Sequence, residues 1–207
     1  MVKLATALCM GLLLVGAASA LAVGTSATSD NPGEPDANLV CVPPLVCPLG
    51  AQIESEPPCG PNYVDNFNGG CNSTPAVFTD LRCNTVCGMA GTFLNGAVQT
   101  RDTDWYRATM PPGAWTFQGR SDGFTLRLFV LTAVCPTTVL STLSSPSCVQ
   151  SGVLNVGGGP AYFFAGSDAF SGVPCESPYV ISWTGLPDCG AVPVEEATWG
   201  SVKNTYR

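Results

Sequence analysis

The sequence predicts an all-β fold, an antiparallel β-sandwich or jelly roll of about eight strands stapled by disulfides. Short apolar runs rich in Val, Phe, Tyr, Trp and Thr are bounded by Gly, Pro, Asn and Asp, which is typical of strands. No window of about twelve residues in these runs carries a helical period. The predicted strands are residues 75–82, 87–94, 104–110, 114–120, 124–133, 152–157, 161–167 and 178–185.

Alternation within the runs orients the predicted strands. In 104–110, Tyr106, Ala108 and Met110 would share one face, because side chains of a strand alternate between two faces. A Pro-Pro-Gly sequence separates this run from 114–120, and these residues favour a tight turn. The two runs are therefore expected to form a hairpin.

The first twenty residues predict an export signal. Lys3 precedes an apolar run that ends in Ala18-Ser19-Ala20, the small-residue pattern of a signal-peptide cleavage site. We expect residues 1–20 to be a signal peptide, cleaved after Ala20. No later window approaches the ~18 apolar residues of a membrane span, so the mature chain is expected to be secreted or held at the cell surface without a transmembrane span.

Composition divides the rest of the chain into three parts. Residues 21–58 are rich in Pro, Ser and Gly and predict a linker. Residues 59–189 hold the predicted strands and form the expected β-sandwich domain. Residues 190–207 are expected to be a spacer and a tail with a short C-terminal helix, since apolar residues recur there at helical spacing. That tail is either a sorting signal or a helix docked on the domain.

The cysteines predict disulfides. The chain has eleven, and Cys9 lies in the predicted signal peptide, which leaves an even number in an exported chain. A zinc site is not expected, because the chain has no histidine and no CxxC pair, its closest cysteines being Cys83 and Cys87 with three residues between them. Bridges between neighbours are the simplest pairing: Cys41–Cys47, Cys59–Cys71, Cys83–Cys87, Cys135–Cys148 and Cys175–Cys189.

The charge of the chain excludes some partners. Fifteen acidic residues against eight basic ones give a net charge of −7. Such a chain repels nucleic acid and anionic lipid surfaces, so neither is expected as a partner. Only 11% of the residues are charged and 45% are hydrophobic, which predicts a packed core rather than disorder.

The order of several motifs resembles a known family. "DTDWYRATMPPGAWTF" is followed by "FTLRLFVL" and then by "GGGPAYFFAGS". This order is similar to that of the bacterial pre-peptidase C-terminal domain, with its D-x-D pair at Asp102 and Asp104 and its aromatic at Tyr106. The cysteine-rich segments at 59–72 and 83–88 look like a variant of the same module. The resemblance spans about 59–185 and implies an accessory β-sandwich in an exported bacterial protein, without chemistry of its own.

Asp102 and Asp104 allow three interpretations. The favoured one is a structural strand entry, in which Arg101 or Arg107 neutralises the charge. A cation site is the second. A glycosidase-like carboxylate pair is the remote third. Since the chain has no histidine to activate a nucleophile, we expect that it is not an enzyme and has no catalytic residues.

The segment "VDNFNGG" adds oxygen donors on a turn. Asp65, Asn66 and Asn68 precede two glycines, and carboxylate and amide oxygens are the ligands that Ca²⁺ prefers. Together with Asp102 and Asp104 they form the candidate cation-binding set. No other metal and no organic cofactor is expected.

Two tryptophans suggest a second kind of site. Trp105 and Trp115 are expected on one sheet face, opposite Tyr106, where they would stack on sugar rings or simply pack in the core. We therefore expect a secreted or cell-surface non-catalytic module that mediates binding or surface attachment, with an envelope polysaccharide or protein as its partner. A carbohydrate-binding module that uses both tryptophans is the alternative.

Overall fold

A computed structural model describes residues 41–190, and this range is all-β, with ten strands and no helix. The predicted all-β class is therefore confirmed. The predicted signal peptide, the C-terminal helix and residues 191–207 of the tail lie outside the described residues. The strands are β1 (Gln52–Ile53), β2 (Thr79–Asp80), β3 (Thr85–Ala90), β4 (Thr92–Asn95), β5 (Val98–Arg101), β6 (Thr103–Ser121), β7 (Leu126–Thr132), β8 (Val139–Ser145), β9 (Leu154–Ser167) and β10 (Ser177–Trp183).

Eight of the strands form one mixed sheet in the order β1-β3-β10-β6-β9-β7-β8, and β2 pairs with β6 beside this path. The pairs β1–β3 and β2–β6 are parallel, and the others are antiparallel. β4 and β5 form a separate hairpin. Between residues 41 and 190, no helix is long and apolar enough to cross a membrane.

The long strands β6 and β9 join two layers. The first half of β6 pairs with β2 and with the second half of β9, which in turn pairs with β7. The second half of β6 pairs with β10 and with the first half of β9. The two layers pack face to face around one core, in which Phe163 of β9 contacts Phe117 of β6 and Trp183 of β10 at ring distances of 5.3 and 5.4 Å.

The hairpin predicted between 104–110 and 114–120 is wrong. Both runs belong to β6, which continues through a bulge, since Met110 pairs with Gly159 and Ala114 with Gly157. The exposed Pro-Pro-Gly sequence adds residues to β6 that have no paired counterpart on β9, and Gly113 has a φ of 144° there. Chain reversal would have required the two halves to pair with each other, whereas both pair with β9.

The face predicted for the first half of β6 is confirmed. Tyr106 and Met110 are buried in the main core, and Ala108 packs against it. Beyond the bulge the core-facing positions change, so that Phe117 fills the core. The alternation is therefore correct within each half but does not carry across the bulge.

Residues 41–58 belong to the fold, although the composition predicts a linker up to 58. Gln52 and Ile53 pair with Val86 and Cys87 of β3. The segment is also bound covalently at Cys41 and at Cys47. Its prolines prevent long strands but leave room for this one short parallel pairing.

The predicted local disulfides are wrong, because every bridge joins distant segments. Cys83 and Cys87 illustrate the reason: β3 begins between them, and four residues of extended chain span about 13 Å, whereas bridged Cα atoms lie within about 7 Å. Neighbours in a sandwich come from different strands and loops. The five bridges are Cys41–Cys148, Cys47–Cys87, Cys59–Cys175, Cys71–Cys135 and Cys83–Cys189.

Candidate functional site

Five carboxylates and one amide converge where three segments meet. Two of the carboxylates follow β1, one carboxylate and the amide lie in the loop 59–72, and two carboxylates stand at the start of β6. We call this group the acidic cluster; its members are Glu54, Glu56, Asp65, Asn68, Asp102 and Asp104. The two ion pairs within residues 41–190, Arg107–Asp80 and Arg127–Asp168, involve none of them.

The inner part of the cluster surrounds Asp104, which is fully buried. The Tyr179 hydroxyl donates a hydrogen bond to Asp104 Oδ2 at 2.7 Å. The partly exposed Glu54 turns its carboxylate inward, where Tyr106 donates to Oε1 at 2.9 Å and the backbone N–H of Met89 donates to Oε2 at 3.0 Å. Asn68 Nδ2 donates to both Glu54 and Asp104.

A glycine makes room for this arrangement. A Cβ atom on Gly88 of β3 would lie 2.3 Å from the Tyr179 hydroxyl oxygen and 2.5 Å from Glu54 Oε2. Any larger residue at position 88 would therefore push apart the tyrosine and the carboxylate. The acidic cluster thus requires a glycine at position 88, in the middle of β3.

The outer part of the cluster is held by loop geometry. Asp65 Oδ1 accepts hydrogen bonds from the backbone N–H groups of Phe67 and Asn68 at 2.8 and 3.0 Å, which fixes a tight turn. The Tyr63 hydroxyl donates to Glu56 Oε1 at 2.6 Å. These contacts use one oxygen of each carboxylate and leave the second for another partner.

Four buried oxygens of the cluster have no hydrogen-bond partner among the described residues. They are Glu56 Oε2, Asp65 Oδ2, Asn68 Oδ1 and Asp102 Oδ1. Buried polar atoms are rarely left unpaired, because each costs about 1–3 kcal/mol. Their concentration in one place points to a partner that binds oxygen ligands.

The ligand geometry fits a divalent cation, and two overlapping groups are close enough to hold one. Ligand oxygens of Glu54, Glu56 and Asp104 lie within 4.8 Å of one another, as do those of Glu56, Asp65 and Asp102. Glu56 belongs to both groups. The donors are all oxygens, which suits Ca²⁺ rather than zinc.

Burial raises the pKa values of Glu54, Glu56, Asp102 and Asp104. The pKa of Glu56 is raised to about 7 and that of Asp102 to about 8, first by loss of water and then by the neighbouring negative charges. Burial and the charge of Glu54 raise the pKa of Asp104 well above its ordinary value. Without a positive partner, the cluster therefore holds protons near neutral pH.

The structure brings together four of the five residues predicted for a cation site: Asp65, Asn68, Asp102 and Asp104. Asn66 stays outside, because its amide is exposed and donates to the carbonyl of Val64 at 3.2 Å. Glu54 and Glu56 were missed because their Pro-rich surroundings predict a linker. Their Glu-x-Glu spacing, which matches that of Asp102 and Asp104, is the signal that could have found them.

The arginines do not neutralise the aspartates as the strand-entry interpretation requires. Arg107 forms its ion pair with Asp80. Arg101 donates to the carbonyl of Ser167 at 2.6 Å. Asp102 and Asp104 do stand at the entry to β6, but their charges face other carboxylates.

The two tryptophans are not a pair on one face. Trp105 is only 7% exposed and packs with Leu131 and Phe164 on the outer side of its layer. Trp115 packs against the main core, and its indole N–H donates to the carbonyl of Pro111 at 2.8 Å. The bulge between Met110 and Ala114 accounts for this change of face.

Comparisons with known proteins give one structural similarity. No family model and no curated protein matches the chain. Among solved structures, the chain is similar to the pre-peptidase C-terminal domain of a collagenase from Bacillus anthracis, at 12% identity and a TM-score of 0.36. The match covers 51% of this chain and 93% of that one. This is the family that the sequence motifs resemble.

Proposed function

We propose that this chain is an exported, non-catalytic binding module whose fold is completed by Ca²⁺ in the acidic cluster. The observation that carries the proposal is the set of four unpartnered buried oxygens in the acidic cluster, three from carboxylates and one from the amide of Asn68. Burying several negative charges together is costly unless a positive charge compensates them. A calcium ion takes six to eight oxygen ligands in flexible geometry, which such a set can supply.

Export is supported by the disulfides. Five bridges in the described residues suit an oxidising environment outside the cytosol. A module of this kind would serve in binding or surface attachment, as the sequence predicts.

Burial of the two aspartates at the start of β6 supports a non-catalytic role. A glycosidase places its sugar between two carboxyl groups, which must both reach the substrate. Asp104 is 0% exposed and Asp102 is 5% exposed. Their raised pKa values do not distinguish the two roles, because burial and crowding raise the pKa of a carboxyl group in a cation site as well as in an acid catalyst.

Calcium binding is tested by thermal unfolding of the disulfide-intact chain in chelator and in Ca²⁺. At a concentration about 100 times its Kd, Ca²⁺ should add about 2.7 kcal/mol to the free energy of unfolding, which raises Tm by roughly 5–10 °C. Glu56→Gln should abolish most of this rise, because Glu56 belongs to both ligand groups.

Asp122→Asn is the matched control, since Asp122 lies outside the acidic cluster, and it should keep the full rise in Tm. Mg²⁺ should give a smaller rise, because it tolerates fewer protein ligands. A titration of the wild-type chain without a binding signal, or an equal rise in Glu56→Gln, would contradict the cation site. Cleavage of a glycan that Asp102→Asn abolishes would contradict the non-catalytic role.

A further inference from the structure

A cleft of about 680 Å³ opens beside the acidic cluster, on the outer side of the layer that carries Trp105. Its base holds Trp105, Phe129 and Phe164, whose rings pack together. Tyr63 and Phe93, in edge contact at 5.8 Å, and the exposed Phe170 also line it. We call this the aromatic cleft. Its volume lies within the range of small-ligand sites, roughly 300–1,000 Å³.

Arg101 is the cationic side chain of the aromatic cleft, and it forms no ion pair within residues 41–190. Its Nη1 donates to the carbonyls of Ser167 and Asp168, at 2.6 and 3.4 Å. The guanidinium carbon lies 4.5 Å from the ring centre of Phe170 and 5.2 Å from that of Phe164. The side chain is thus held in place, while Nε and Nη2 make no hydrogen bond to the described residues.

Asn66 and Ser73 line the cleft and donate to the carbonyls of Val64 and Asp65 at 3.2 and 2.9 Å, but several other short polar side chains there have no partner. The side chains of Asn72, Asn95, Thr100 and Thr103 line it without a hydrogen bond to any described residue. The Trp105 indole N–H is also buried without an acceptor. The cleft therefore combines partly accessible aromatic rings, of which Phe170 is the most exposed, with free amide and hydroxyl groups around one guanidinium.

We propose that the aromatic cleft binds an oligosaccharide that carries a uronic acid. Sugar rings offer C–H faces to aromatic side chains and hydroxyl groups to amides and threonines. The carboxylate of the uronic acid would accept two hydrogen bonds from Nε and Nη2 of Arg101, the geometry that a guanidinium favours. Because the chain carries a net charge of −7, a sparsely charged glycan fits better than a polyanion.

This inference rests on the proposed function only for the role of a non-catalytic binding module. Arg101 lies outside the acidic cluster, whereas Asp65 borders both the cluster and the cleft. Ca²⁺ would neutralise Asp65 and should therefore strengthen binding of the acidic glycan. The two sites are separable, because each has side chains that the other lacks.

The experiment compares two ligands on the intact chain in Ca²⁺. One is a disaccharide of glucuronic acid and a neutral sugar, and the other is the same disaccharide with its carboxyl group reduced to an alcohol. Calorimetry and tryptophan fluorescence should show a Kd roughly 10- to 100-fold lower for the acid. This is the factor expected from hydrogen bonds to a charged group. Equal affinity for the two ligands would overturn the proposal.

Arg101→Gln should remove the preference for the acid and keep the calcium-induced rise in Tm. Arg120→Gln is the matched control, since Arg120 is also half-buried and donates to a backbone carbonyl, that of Pro43 at 2.8 Å; it should bind like the wild type. If Arg101→Gln does not fold, Asn95→Ala at the exposed rim should weaken both ligands. An Arg101→Gln variant that folds and keeps the preference would overturn the proposal, as would tighter binding of an acidic peptide in competition.

Discussion

Asn68 connects the inner and outer parts of the acidic cluster. It is fully buried, its Nδ2 donates to Glu54 and Asp104, and its backbone carbonyl accepts from the N–H of Trp105 at 2.8 Å. Its Oδ1 is one of the unpartnered oxygens. An amide serves this position because it offers a donor to the carboxylates and an acceptor to a cation. A sixth carboxylate would only add negative charge.

Asp104→Asn tests the charge of the cluster at the level of one residue. In chelator at neutral pH, the amide should replace the protonated carboxyl while still accepting from Tyr179, so the free energy of unfolding should stay the same or rise by about 1–3 kcal/mol. In Ca²⁺ the variant should lose much of the stabilisation that the wild type gains. Denaturant unfolding in both conditions measures this. A large loss in chelator would support the strand-entry interpretation instead.

The sequence could predict part of this site. The i, i+2 spacing of Asp102 and Asp104 and the oxygen donors of the loop 59–72 are visible in the printed residues. Their union with Glu54 and Glu56 is not, because it depends on contacts between segments about fifty residues apart. The sequence also could not show that Arg101 and Arg107 leave the aspartates uncompensated, because the partners of both arginines lie on other strands.

Among the elements of the fold, the loop 59–72 depends most on the acidic cluster. It is anchored by Cys59–Cys175 and Cys71–Cys135, but between these bridges it has few backbone hydrogen bonds to the sheet. The turn at Asp65 places ligands toward Glu56 and Asp102. A cation would therefore order the loop more than the strands.

Amide hydrogen exchange checks this expectation. In chelator, the N–H groups of Phe67 and Asn68, which donate to Asp65, and that of Trp105, which donates to Asn68, should exchange at least about tenfold faster than in Ca²⁺. Amides in the centre of β9 and β10 serve as the internal control and should change little. Equal acceleration throughout the sheet, or none in the loop, would contradict a local role of the cation.

The course of β6 shows why elements are predicted better than their connections. The strand character of both halves is visible as alternation, but Pro-Pro-Gly suits a turn and a bulge alike. The choice between them depends on the pairing of both halves with β9, which lies more than thirty residues further along the chain. The position of Trp115 follows from that choice, and so the expected tryptophan pair does not form.

The disulfides tie the N-terminal part of the described fold to strands and loops far along the chain. Cys41–Cys148, Cys59–Cys175 and Cys83–Cys189 join residues separated by 107, 116 and 106 positions. In the chain-entropy view, a loop of about 100 residues contributes roughly 4.7 kcal/mol by restricting the unfolded chain. The cysteine count is visible in the sequence, but pairing is a property of the assembled sandwich.

The stability of the cation-free chain and the stabilisation added by Ca²⁺ should depend on pH with opposite signs. In chelator, Asp102 and Glu56 hold protons up to about pH 8 and 7 in the folded chain but ionise near 3.8 and 4.5 when unfolded. A raised folded pKa gives stability that is complete below the unfolded pKa and is lost as pH rises through the folded pKa. Stability of the cation-free chain should therefore fall between about pH 4 and 8. Asp80, whose pKa is lowered by Arg107, loses its contribution only at lower pH and does not mask this trend.

With Ca²⁺ in excess, the same carboxylates must be deprotonated to bind the ion, so the calcium-induced rise in Tm should be small at pH 5 and large at pH 8. Thermal unfolding of the wild type across this range, in chelator and in Ca²⁺, measures both slopes. Asp102→Asn removes one of the titrating ligands and should flatten both, whereas Asp122→Asn should leave them unchanged. A chelator profile that rises toward pH 8, or a calcium effect independent of pH, would show that the cluster does not couple protons to a cation.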